Sequence, residues 1–234
     1  MLWHTGNPMA YTTILLDFDH TLLDFAASER EAFAVTLRNQ GIGDPMEAFG
    51  VYQRINRGLW KQVEQGEIPP DAVRERRFEL LLRQLGCDGD VAQMAEDYIA
   101  GLAAFGDLYP GTIEVLEKLE PMVRLALLSN GLSEVKRPQI ARFGFEQIFD
   151  AIVISAEVGV AKPDNAIFDI AFNMLGNPPK ETALMVGDSL SSDIKGGADY
   201  GIATCWYNPG GKQPGPDDHI THEIKALEDL LDYV

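Results

Sequence analysis

From Tyr109 onward the sequence alternates short apolar runs with stretches of helical pattern, and that alternation leaves few folds open. Val123–Leu128, Ala151–Ile154, Ala183–Val186 and Ala203–Tyr207 are nearly uninterrupted apolar runs bounded by turn residues. Such runs read as strands buried on both faces. Around them, Gly111–Glu120, Ser133–Phe143, Pro163–Leu175, Leu190–Tyr200 and Ile224–Leu231 read as helices. Strand and helix in succession imply an α/β class, a doubly wound parallel sheet with helices on both faces. Asn208–Asp218 is rich in turn residues and reads as a loop, with a possible short strand near His219–Thr221.

One more strand lies far upstream. Ile14-Leu15-Leu16 is a continuous apolar run that ends in Asp17-Phe18-Asp19-His20-Thr21. Between this run and the alternating region, Asp24–Phe105 reads almost wholly helical. Its segments are about Ala26–Gln40, Pro45–Gln65, Pro69–Leu85 and Asp90–Ala104, followed by Gly41, Gly66, Gly86 and Gly106 as helix stops. An all-α bundle is therefore expected to interrupt the α/β domain straight after its first strand. Insertions are tolerated at exposed loop tips, and this tip falls at the carboxyl end of the sheet. The expected division is a core of residues 1–22 and 107–234 with a helical cap of residues 23–106, a candidate lid. Residues 1–8, ahead of Met9, read as a tail or a start-site extension.

Two carboxylates two residues apart repel one another unless something cationic lies between them. Ligands of open α/β sheets bind beyond the carboxyl ends of the strands, so Asp17 and Asp19 are placed on a site floor, sharing one direction if the extended form persists. Other strands also end in polar clusters: Ser129-Asn130-Gly131 after the second, Gly187-Asp188-Ser189 after the fourth. Lys162, before Pro163, is expected at a helix start, Pro163 suiting the first helical position. The formal net charge of −17 opposes non-specific binding to nucleic acid or anionic membrane, and requires any anionic substrate to find a locally positive pocket. No apolar run is long enough for a membrane span and the start lacks a secretory pattern. The two cysteines, Cys87 and Cys205, are read as reduced thiols, and a cytoplasmic location is expected.

The four clusters together resemble the haloacid dehalogenase (HAD) superfamily. Asp17-Phe18-Asp19-His20-Thr21 looks like its first motif, Ser129-Asn130-Gly131 its second, Lys162 its third and Gly187-Asp188-Ser189-Leu190-Ser191-Ser192-Asp193 its fourth. The resemblance spans the chain, helical cap included, and implies a HAD-like, Rossmann-like core. It implies Asp17 as nucleophile forming an aspartyl-phosphate. Asp19 would protonate the leaving oxygen and then activate water. Mg²⁺ would be bound by Asp17, the Asp19 carbonyl and Asp188, with Asp193 supporting the metal shell directly or through water. The Ser129 hydroxyl and the backbone N–H groups of Asn130 and Gly131 would hold phosphoryl oxygens, and Lys162 would offset charge. Thr21 is read as ordering its loop. Ser189 and Asp193 have a purely structural alternative, lining or capping the last helix. An acid at Asp19 argues for phosphate esters over halides, because halide leaves without a proton.

Tyr52, Asn56 and Trp60 fall on one face of the second helix. Spacing alone suits a packing face. The stretch Tyr52–Trp60 with Gly66-Glu67-Ile68, and Ile154–Pro163, Leu184–Asp188 and Ala203–Trp206, resemble the bacterial pyrimidine 5′-nucleotidase branch. That resemblance implies a nucleoside monophosphate as the small-molecule partner, with Asn56 and Trp60 as candidates for reading and stacking the base. Arg74, Glu75, Arg76 and Arg77 read as a solvated face. The alternatives are a sugar-phosphate phosphatase or phosphomutase of the same superfamily and, remotely, a receiver-like phosphoacceptor domain. The oligomeric state is left open.

Overall fold

The structure is a computed structural model that describes residues 10–216 and 218–234; the expectation for residues 1–8 lies outside them. Strand β1 (Thr13–Leu16) is wholly buried. Four helices follow: α1 (Phe25–Asn39), α2 (Pro45–Glu64), α3 (Val73–Leu85) and α4 (Val91–Ala104), with a 3₁₀ turn at Pro70–Ala72 leading into α3. Asp24, Asp44 and Asp90 cap α1, α2 and α4, each side chain accepting a first-turn backbone N–H. Gly86 closes α3 with φ 67°, a left-handed conformation open to glycine at no steric penalty. All four helices lie within a residue or two of their expected positions, except that the first turn of the third is 3₁₀.

The alternating half gives α5 (Thr112–Leu119), β2 (Arg124–Ser129), α6 (Ser133–Arg142), β3 (Ala151–Ile154), the short α7 (Ser155–Val158), α8 (Asn165–Met174), β4 (Ala183–Gly187), α9 (Lys195–Tyr200), β5 (Ala203–Tyr207) and β6 (His222–Ile224). The sheet has six strands in the order β3-β2-β1-β4-β5-β6, every pairing parallel. Side chains alternate along a strand. Ile14 and Leu16 therefore enter one core with Leu125, Leu127 and Val186, while Leu15 enters the other with Ala126, Leu128 and Met185. Burial on both faces is why these strands read as unbroken apolar runs.

Four local features depart from the pattern expected of the sequence. The helix expected at Ile224–Leu231 and the strand expected near His219–Thr221 are instead β6 and a 3₁₀ helix at Leu227–Tyr233. Ile224 is buried as the inward residue of an edge strand, and Leu227 and Leu230 both point inward, three residues apart, as a threefold helix requires. Pro163 precedes the cap of α8 rather than opening it, because the Asp164 side chain takes the Ala166 N–H and serves as the cap. The expected helix Leu190–Tyr200 starts as a π turn at Leu190–Ile194, with the Ile194 N–H reaching the Ser189 carbonyl. Arg77 is not solvated: it is 3% exposed, its Nε–H donates to the Val73 carbonyl and its guanidinium lies 5.1 Å from the centre of the Tyr98 ring.

The helices inserted after β1 build a core of their own from Phe33, Tyr52, Phe78, Leu81, Met94 and Tyr98, which continues into Leu132 and Val135 at the start of α6. No described helix is long and apolar enough to cross a membrane. Both cysteines are free thiols.

Candidate active site

The central strands β2, β1 and β4 end side by side, and chain order reverses across β1. This is the switch point at which open α/β sheets bind ligands. The strand β1 stops at Leu16, but the Asp17 N–H still bonds the Val186 carbonyl at 2.9 Å, so the first carboxylate stays registered to the sheet. Beyond it the chain turns sharply at His20, which has φ 63°. Phe18 packs into the core and Asp17 and Asp19 are left at the surface of one cleft.

Asp17 is 8% exposed and held on both oxygens. Lys162 Nζ lies 2.7 Å from Oδ1, and the Thr21 hydroxyl donates to Oδ2 at 3.0 Å. Thr21 thus orders the loop, as expected, by fixing the carboxylate itself. Lys162 is 1% exposed and also reaches Asp193 Oδ1 at 2.7 Å and the Leu128 carbonyl at 2.6 Å. Burial pulls the Lys162 ammonium down, but the carboxylates of Asp17 and Asp193 overcome this and hold its pKa above the ordinary lysine value. The Lys162 backbone is clamped in turn: Asn130 Oδ1 accepts its N–H and Asn130 Nδ2 donates to its carbonyl, both at 2.9 Å.

Asp17, Asp188 and Asp193 each offer an oxygen within 4.8 Å of the others. Burial, then the charge of Asp17, pushes Asp188 up to about 7, and burial pushes Asp193 up to about 7 despite the ammonium beside it. The cluster is therefore short of positive charge, and an all-oxygen donor set of this kind suits a hard divalent cation such as Mg²⁺. The members differ in their freedom. Asp193 spends Oδ1 on Lys162 and accepts the Ser189 N–H on Oδ2 at 3.0 Å, whereas Asp188 has no hydrogen-bond partner on its carboxylate among the described residues. The π turn brings Asp193 inward, and Gly187 makes room for it, since a Cβ there would lie 2.2 Å from Asp193 Oδ2.

The remaining expected site residues divide. Ser129 is buried at the end of β2 and its hydroxyl has no hydrogen-bond partner, an orphaned group that a phosphoryl oxygen would satisfy. Gly131 does not offer its N–H as expected, because that group donates to Ser155 Oγ at 3.0 Å. The Asp19 side chain lies apart from the acidic cluster and is paired with Lys136, a residue the sequence reading passed over. Asp17 and Asp19 nonetheless both border the cleft, with Phe18 turned into the core between them.

The cleft holds about 680 Å³, within the range of roughly 300–1,000 Å³ usual for small-molecule sites. It is lined by Asp17, Asp19, Lys162 and Asp188 from the sheet and by Asn56 and Trp60 from α2. Tyr52 is not a lining residue: it sits in the core of the helical block, its hydroxyl donating to that of Tyr98 at 2.5 Å. Asn56 is 6% exposed, donates Nδ2 to Glu29 Oε1 at 3.0 Å, and has no partner for its Oδ1. Arg57, Lys61, Arg77, Lys136 and Lys162 also border the cleft and face Asp17, Asp19, Glu29, Glu64, Asp188 and Asp193, so the lining is close to charge balance in a chain that is strongly acidic overall.

A profile of the haloacid dehalogenase-like hydrolases matches residues 11–201. The chain is 33% identical to the pyrimidine 5′-nucleotidase PynA of Streptococcus pneumoniae over 225 residues, covering 96% of this chain and 95% of that one. It is 32% identical to the pyrimidine 5′-nucleotidase YjjG of Escherichia coli over 225 residues, with 95% and 97% covered. A crystal structure of the HAD-hydrolase YfnB of Bacillus subtilis, bound to magnesium and described as showing interdomain movement, superposes with a TM-score of 0.86 at 33% identity, covering 94% of this chain and 97% of that one.

Proposed function

The chain belongs to the haloacid dehalogenase-like hydrolases and is a phosphate monoester hydrolase, and from that premise we propose that it is a Mg²⁺-dependent 5′-nucleotidase acting on pyrimidine nucleoside monophosphates through an aspartyl-phosphate on Asp17. The observation that carries the reading is the shared cleft: a carboxylate locked between an ammonium and a hydroxyl opens into the same space as Asn56 and Trp60.

Asp17 and Asp188, with the Asp19 carbonyl, would hold the cation, and Asp193 would support them through Lys162 and the Ser189 N–H. When bound, the cation supplies charge neutralisation for an anionic phosphate facing acidic groups. The chain's own residues account for the rest. An oxygen of Asp17 attacks phosphorus while the bond to the ribose 5′-oxygen breaks, and Asp19 gives that oxygen its proton. Water then attacks the phosphorus of the aspartyl-phosphate, Asp19 takes the water's proton, and inorganic phosphate leaves with Asp17 restored. Lys162, bonded to Asp17, offsets the negative charge gathered there, and the buried, unpaired Ser129 hydroxyl at the end of β2 would donate to a phosphoryl oxygen. The helical residues 23–106 serve as the cap, presenting Trp60 for stacking and Asn56 for an edge contact to the base.

The test is phosphate release from a panel of nucleotides and sugar phosphates. UMP, dUMP and dTMP are expected to be turned over best, with activity abolished by Asp17→Asn or by chelation. Turnover that survives either treatment overturns the mechanism, and sugar phosphates turned over far better than these nucleotides overturn the substrate.

A further inference from the structure

A buried lysine that no motif supplies sits on the acid. Lys136, on α6, is 2% exposed, and its Nζ lies 2.5 Å from Asp19 Oδ1. A second acceptor, Gln139 Oε1, is 3.2 Å away, and Gln139 is itself tied to α4 through the Leu102 carbonyl at 2.7 Å. The ammonium lies 5.0 and 5.1 Å from the centres of the Phe18 and Phe25 rings, one from the core and one from α1. The side chain reaches this position past Gly131, where a Cβ would lie 2.8 Å from Lys136 Cε. Burying an ammonium is costly without a charged partner, so a group enclosed on all these sides is held for a purpose at Asp19. Asp19 Oδ2, by contrast, has no hydrogen-bond partner among the described residues, and the residue borders the cleft.

We propose that Lys136 is the positioning residue of the general acid and base: it pins Asp19 Oδ1 so that Oδ2 carries the proton toward the leaving oxygen and later receives one from water. This rests on the role given to Asp19 above. The arrangement fits a residue that must work in both directions. Bond-making at phosphorus needs Asp17, and the proton needs Asp19; the two carboxylates are kept in separate duties by separate ammonium groups, Lys162 on one and Lys136 on the other. After the acid step Asp19 is a carboxylate, and the fixed ammonium faces the charge that appears there. Gln139 is the strut that keeps Lys136 from swinging toward the phosphate.

The diagnostic is the leaving group. A nucleotide expels an alkoxide and needs the proton, whereas p-nitrophenyl phosphate expels a stable phenolate and scarcely does. Wild type, Lys136→Met, Gln139→Leu and Asp19→Asn are compared for kcat/KM, which reports phosphoryl transfer to Asp17 and not the hydrolysis that both substrates share, on UMP and on p-nitrophenyl phosphate with Mg²⁺ in excess. Lys136→Met is expected to lose about 100-fold on UMP, at the lower end of general acid–base contributions, and at least ~10-fold less on the aryl ester. Gln139→Leu shows the same asymmetry with a smaller loss, and it carries the test alone if Lys136→Met does not fold. Equal losses on both substrates, or no loss on UMP, overturn the proposal. If Asp19→Asn itself shows no asymmetry, it is the acid role of Asp19 that fails, which separates the two readings.

Discussion

Lys162→Met separates what the buried ammonium does for stability from what it does for the reaction. Methionine keeps most of the side-chain volume but removes a charge within 2.7 Å of both Asp17 and Asp193 and a donor 2.6 Å from the Leu128 carbonyl. Asp17 retains its bond from Thr21 and some access to water, while Asp193, 1% exposed, is left with the Ser189 N–H and a long 3.5 Å bond from the Ser192 hydroxyl. Breaking a buried pair by removing one partner costs about 3–5 kcal/mol. In a chain of this size each kcal/mol lowers Tm by roughly 2–4 °C, so the melt should fall by roughly 6–20 °C. The pH dependence carries the sign. With Lys162 beside it Asp193 sits at about 7, above its unfolded value, so below that pH it is protonated and asks little of Lys162, whereas above it the variant must either keep the proton on Asp193 or leave its carboxylate without the ammonium. The deficit should therefore be large near about pH 8 and shrink near about pH 5.5. Pairing the change with Asp193→Leu should restore much of the lost stability, because an apolar replacement of a buried ion pair is often neutral, yet leave kcat down by about 10²–10³. Thermal melts by circular dichroism in chelator, run at both pH values beside phosphate-release assays, test this. A single variant that melts within about 2 °C of wild type near pH 8, or a double variant no more stable than the single, refutes the electrostatic account of Lys162.

Gly187→Ala should abolish turnover and destabilise the fold by about 1–3 kcal/mol, because the added methyl collides with Asp193 at the end of β4; a variant with normal kcat would show that Asp193 can move aside freely. Mg²⁺ should raise Tm more at about pH 8 than at about pH 5.5, since protons held on Asp188 and Asp193, both at about 7, compete with the cation; an equal shift at both pH values would place the cation elsewhere. Trp60→Ala should raise KM for UMP while leaving Ki for inorganic phosphate unchanged, a loss of about 1–3 kcal/mol of stacking measured by steady-state kinetics and product inhibition. Equal weakening of both would remove Trp60 from base contact.

The parts of this molecule that were legible in the sequence are those where burial writes directly into residue type. Strands covered on both faces became unbroken apolar runs, and the clusters at their ends stood out against them. What stayed hidden has one physical form: a charged residue on the apolar stripe of a helix. Lys136 lies on the same buried face of α6 as Val135, Gln139 and Ile140, Glu29 on that of α1 with Phe33, and Arg77 on that of α3 with Phe78 and Leu81. Each was readable as surface because charge suggests water. In α1 and α3 the signal was the periodicity, which placed Glu29 and Arg77 inward and demanded a partner, whereas α6 has almost no apolar periodicity and gave no such signal for Lys136. The end of the chain was misread for a different reason: three residues of edge strand and seven of threefold helix are too short to declare a period, and the pairing of Cys205 with His222 decides it.

The placement of β1 at the centre of the sheet also sets the order in which this protein can assemble. Thr13 pairs with Arg124 on one side and Ala183 on the other, so the first strand made is the one whose neighbours arrive late. At the ~5–20 residues per second of synthesis, β1 leaves the ribosome roughly 6–20 s before β2 is available to it. The contacts among α1 to α4 join sequence neighbours, apart from that of α1 with α4, and all of them lie within residues made before β2. The nascent chain is thus expected to carry a folded helical bundle tethered to an unpaired Ile14-Leu15-Leu16 edge, a segment that chaperones should hold until the second half of the sheet closes over it.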